Sequence, residues 1–149
     1  MPFEPHRVPA GTIVYRGLGS KGWLDRQRDP WGIRHGAFIR KRKDDDGLTV
    51  APESHLCCQI ALFQIAAIDV AAIEKMVNPI TGENLYVWQD SEDHACIPNL
   101  PFHDEHPLEA QGLATDLANA SELLTEEEFG AAQEKWGAMV AASEDRQQG

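Results

Sequence analysis

The stretch PLEAQGLATDLANASELLTEEEFGAAQEKWGAMV, residues 107–140, decides the fold, because the apolar period there lengthens from two to between three and four residues. Leu113, Leu117, Ala120 and Leu124 return on one face of an amphipathic helix. Pro107 suits the first turn of that helix, where a missing N–H leaves no bond unmade. Thr125-Glu126-Glu127-Glu128 has the form of a capping box. The Thr125 hydroxyl can accept from the Glu128 N–H, and three carboxylates sit at the positive end of the next helix. Phe129, Ala132, Trp136 and Val140 line one face of that last helix.

Upstream of Pro107 the pattern is that of strands. Ile13-Val14-Tyr15-Arg16, bracketed by Gly11 and Gly17, is a β-branched and aromatic run with Arg16 near its end. Residues 17–36 carry five glycines and a proline and predict a long loop with one short helical turn. Ala37-Phe38-Ile39 and Leu48-Thr49-Val50 flank a charged block, which predicts a hairpin with residues 40–47 as its exposed connection. Residues 53–60 suit one or two helical turns. Residues 61–68 suit a buried strand or a helix equally; the preferred reading is a strand, followed by a short helix over 70–76 capped by Asp69 and stopped by Asn78-Pro79. Residues 84–89 and 94–97 complete the strands, the last ending at Pro98. The expected fold is α+β: a small mixed, mainly antiparallel sheet with two C-terminal amphipathic helices, in one domain over 1–149 whose segments 1–10 and 143–149 fray.

Composition narrows the classes. At 149 residues, 42% apolar and 25% charged, the chain suits one globular core and is not globally disordered. The apolar run at residues 60–73 is too short to cross a bilayer and no apolar leader segment follows the first charges, so the expected address is cytoplasmic and no membrane partner is expected. Three cysteines, two of them adjacent, do not make a disulfide framework. Charge is polarised along the chain. Residues 1–43 carry ten basic against three acidic side chains, a net of +7, and the remainder carries a net of −18, giving −11 overall. Such acidity excludes non-specific nucleic-acid binding by the whole surface and confines any anionic ligand to the basic third.

Within that third, Tyr15, Arg16, Trp23 and Arg34, together with Trp31, Arg26 and Arg28, make the most coherent candidate site. A strand-end arginine can grip a phosphate with parallel hydrogen bonds, and an indole can stack on a base or a nicotinamide. The alternative is that Arg16 meets a carboxylate and the tryptophans anchor the loop. Gly17-Leu18-Gly19-Ser20-Lys21-Gly22 is a second candidate, as a phosphate-cradling loop, although it fits no standard phosphate motif. His94, Cys96, His103 and His106 have the ligand types of a zinc site, and equally those of a strand pair followed by a polar loop. Ser54, His55, Cys57, Cys58 and His94 supply nucleophile and base types without any hydrolase motif.

The succession Tyr15-Arg16, Ala37-Phe38, Gly47-Leu48-Thr49-Val50 and His94-Ala95-Cys96-Ile97 resembles a small uncharacterised bacterial family with those blocks. More remotely, an early Tyr-Arg strand and a later Gly-Leu-Thr strand are similar to ADP-ribosyltransferase-like and RES-type domains. That resemblance implies NAD as cofactor or substrate, a transferase or hydrolase activity, and Arg16 and Thr49 as ligand contacts. The Glu-x-Glu signature of the classical transferases is absent. The expectation is therefore a protein binding an anionic, nucleotide-like ligand in a basic N-terminal cleft. Its rival is a non-enzymatic protein whose opposite charges pair it with an acidic partner or with a second copy of itself.

Overall fold

A computed structural model describes residues 3–25, 27, 32–41, 47–59 and 63–148. The expectations placed on Arg26, Arg28, Trp31 and the charged run 42–46 lie outside the described residues. The fold is α+β. In chain order it has β1 (His6–Arg7), β2 (Ile13–Leu18), β3 (Leu24–Asp25), β4 (Gly32–Ile33), β5 (Leu48–Val50), β6 (Gln64–Asp69) and α1 (Val70–Glu74). There follow β7 (Trp88–Ser91), β8 (His94–Ile97), α2 (Pro107–Ala120), β9 (Glu122–Leu123) and α3 (Glu126–Gln148). Short 3₁₀ turns occupy Lys21–Trp23, His35–Phe38 and Ser54–Gln59.

All described strand pairs are antiparallel. One sheet has the order β1-β7-β8-β5, a second β2-β6-β9, and β3-β4 is a small separate pair. The two larger sheets are stitched where Tyr15 and Ala51 exchange backbone hydrogen bonds of 2.9 and 2.7 Å. Strand β6 lies in the middle of its sheet with both faces covered. Ala66 and Ile68 join the main core with Leu113, Ala114 and Leu117 of α2. Ile65 joins a second cluster with Cys57, Leu124 and Ala132 of α3. Burial on both faces explains why this run lacks the alternation of a half-exposed strand.

The short helix after β6 forms as its cap predicts, with Asp69 Oδ1 accepting from Ala71 N at 2.8 Å and from Gly11 N at 3.1 Å. The capping box at Thr125 also closes, Glu128 N donating to Thr125 Oγ1 at 3.1 Å and Thr125 N to Glu128 Oε1 at 2.9 Å.

Four segments depart from their expected form. The first C-terminal helix ends at Ala120 instead of carrying Leu124, because the open edge of β6 needs backbone partners; β9 supplies them, and Leu124 N donates to Ile65 O at 3.0 Å. Residues 37–39 form no hairpin with β5. Ala37 and Phe38 are wound into a 3₁₀ turn and buried, while β5 pairs with β8. Gly47 permits that pairing: at φ +127° a Cβ there would lie 2.6 Å from Ile97 O and Pro98 Cα. The strand expected at 84–89 starts only at Trp88, since Leu85 N bonds instead to Met76 O and Val87 O accepts from Val8. Finally, the segment expected to fray at the start contributes β1 and the buried Val8, and α3 runs on to Gln148.

Candidate functional site

The basic third of the chain is organised around Trp23. Its main chain is held by the β3–β4 pair, with Leu24 opposite Ile33, both buried, and by Arg34 N donating to Trp23 O at 2.8 Å. The His35–Phe38 turn then passes close to the indole. Gly36 makes this approach possible, because a Cβ there would stand 3.1 Å from Trp23 Cδ1. The Arg16 guanidinium lies over the same indole, 5.7 Å from its centroid.

A third segment reaches this place through Arg40. Read from sequence as part of an exposed charged run, Arg40 is in fact buried: Nη1 donates to Pro98 O and Leu100 O at 2.8 Å, and the guanidinium lies 3.9 Å from the Phe102 ring centroid. Carbonyl dipoles and the aromatic face contribute to compensating the charge, as burial of an arginine requires. Arg40 O in turn accepts from His103 N at 3.0 Å, which brings His103 and Asp104 beside Lys41. The result is a cleft of about 380 Å³ lined by Trp23, Lys41, His35, His103, Asp104 and Gln111. The Gln111 amide stands 3.4 Å from His35 Nε2.

The residues singled out from sequence separate into different places. Arg16 and Trp23 come together, and Thr49 joins them through its main chain. Arg16 Nε donates to Ala37 O at 2.8 Å and Nη1 to Thr49 O at 2.9 Å, so this guanidinium ties the 3₁₀ turn and β5 to β2. Tyr15, one residue away on the same strand, packs on the opposite face and lines a cleft of about 500 Å³ with Ser54, Glu128 and Lys135. Arg34 is exposed and contributes through its backbone. The glycine-rich segment after β2 is a tight turn in which Gly22 N donates to Ser20 Oγ at 3.3 Å.

The metal-type and nucleophile-type residues have other surroundings. His94 Nδ1 lies 2.7 Å from Asp90 Oδ1 and its Nε2 3.4 Å from Thr49 Oγ1, an exposed polar chain across the sheet. Cys96 is buried one residue pair away, opposite Thr49 and Trp88. Among the described residues no three His, Cys, Asp or Glu side chains converge as a metal would require, His103 and His106 included. His55 is buried, its Nε2 3.7 Å from Glu53 Oε2. Burial pushes the Cys57 thiol up to about 12, with the neighbouring Cys58 adding to this and Arg16 opposing it, so Cys57 is no thiolate near neutral pH.

Lys41, His35 and Gln111 were not among the sequence candidates. Nothing local marks them; the one signal available was Gly36 between a histidine and a buried Ala-Phe pair. No protein-family model matches the chain, and no curated protein or solved structure shows significant similarity to it.

Proposed function

We propose that the protein binds an anionic, nucleotide-like ligand, NAD or a nucleoside diphosphate among them, in the Trp23 cleft. The observation that carries the reading is one half-buried indole walled in with Lys41, His35 and His103 in about 380 Å³, within the size range of small-ligand sites. The indole offers a stacking face to a base or nicotinamide, and the Lys41 ammonium is a point charge for a phosphate. Asp104 and Gln111 provide an acceptor and an amide for ribose hydroxyls or base edges. Arg16 is a positioning residue here: it holds the Ala37 and Thr49 carbonyls and lies over the indole that the ligand meets.

Titration calorimetry with ADP, NAD and adenosine tests this. ADP and NAD are expected to bind with micromolar to sub-millimolar Kd and adenosine more weakly. Lys41→Ala should cost about tenfold, the loss of one charge-assisted contact, while Tyr15→Phe on the opposite face should change nothing. Absence of binding by all three, or an unaltered Kd in Lys41→Ala, overturns the proposal. Nicotinamide release in the same NAD samples reports whether hydrolysis follows binding.

A further inference from the structure

The C-terminal helix points to a second site, one that shares no lining residue with the Trp23 cleft. Among the described residues, α3 meets the core in its first turns, through Phe129 and Ala132. Further along, Trp136, Met139 and Val140 face a groove of about 990 Å³ that also exposes Phe3 and Leu56; Met139 is 43% and Val140 37% exposed. Four carboxylates, Glu53, Glu92, Asp93 and Glu144, stand on its walls. Neither lysine nor arginine lines it among the described residues.

We infer that this groove is a docking surface for a short basic segment of a partner protein, one carrying two or three apolar side chains flanked by Lys or Arg. An aromatic and a flexible thioether on one helix face accept varied apolar anchors, and carboxylates around them select the sign of the flanking charge. The chemistry disfavours a lipid surface, because acidic walls are repelled by anionic headgroups. A second copy of this chain is the weaker occupant: in its basic third Val14, Leu18, Leu24, Ile33 and Phe38 are buried in its own core, and among the described large aliphatic side chains there Ile13, at 39% exposed, is left as an anchor, where the groove calls for two or three.

The experiment uses the full chain and two fluorescein-labelled model peptides of equal length, Leu-Lys and Leu-Glu amphipathic repeats, followed by anisotropy at low and high salt. The Leu-Lys peptide is expected to bind and to weaken as salt rises, and the Leu-Glu peptide is not. The exposed double reversal Glu92→Lys with Asp93→Lys should reduce affinity roughly tenfold at low salt, and Met139→Ser should reduce it at both salts. Both variants are read alongside the unchanged Tyr15→Phe protein. Equal binding of the two peptides, no binding of either, full affinity in both variants, or a sedimenting dimer that shields Trp136 from a fluorescence quencher would each overturn the inference. ADP binding at the Trp23 cleft is independent of every one of these outcomes.

Discussion

Cys57 and Cys58 show how much a single position depends on its surroundings. Both lie in the 3₁₀ turn Ser54–Gln59, where Cys57 is buried and Cys58 only partly so. The Cys57 thiol holds its proton to about 12, against 9.0 for the unperturbed group. As pH rises through 9 the unfolded chain therefore sheds this proton before the folded one does. The corresponding stability is whole below about pH 9 and is lost between there and about pH 12, by at most about 4 kcal/mol. Urea unfolding at pH 8 and pH 10.5 should show this fall in the native protein and a flatter profile in Cys57→Ala. Identical profiles would mean that the thiol is not shielded as its burial implies. Arg16 teaches the complementary lesson. Its place on an early strand was legible, but β2 runs on to Leu18 and holds Arg16 inside the strand, not at its end; its engagement with two carbonyls was not legible, since Ala37 and Thr49 are 21 and 33 residues away.

Elements were legible where their ends are decided locally. The Asp69 cap, the Pro107 start and the Thr125–Glu128 box each need only three or four consecutive residues, and each forms. Thr125→Ala removes the acceptor for Glu128 N and should cost about 1 kcal/mol, visible as a lower midpoint in thermal melts followed at the helical circular-dichroism band. No change would show that α3 is held by packing alone. Elements were misplaced where a distant edge decided them. The end of α2 follows from the demand of β6 for a partner, and Ser121 reinforces it by donating to Leu117 O at 2.7 Å while its own backbone turns extended. The hairpin expected around residues 40–47 failed for the same reason: β8 offered Leu48–Val50 a ladder, and the core took Phe38.

At the scale of the whole molecule one continuous core crosses both larger sheets. Val14, Leu18 and Ile68 on one side meet Leu48, Val50, Ala95 and Ile97 on the other, under Leu113 and Leu117. With no boundary in that cluster, unfolding should be a single transition. Circular dichroism and tryptophan fluorescence should give the same midpoint, the fluorescence coming from four tryptophans of which Trp23, Trp88 and Trp136 lie in three different regions. A fluorescence midpoint several degrees below the other would show instead that a region melts separately. Of the charge polarity along the chain, +7 over residues 1–43 and −18 beyond, the described clefts show two parts: Lys41 beside Asp104 at the Trp23 cleft, and four carboxylates along the α3 groove.

The amino-acid order by itself determined the α+β class, the helix starts, the polarity of charge along the chain, and the exclusion of a disulfide scaffold. These rest on periodicity, caps and composition, whose physics acts within a few residues or over the whole chain at once. Only the tertiary structure decided that the Arg16 guanidinium ties Ala37 and Thr49 together, that Arg40 is buried, and that Lys41, His35 and His103 gather around Trp23. Each of those outcomes depends on which unsatisfied backbone edge and which apolar face are brought together by folding, and that choice is made between segments tens of residues apart.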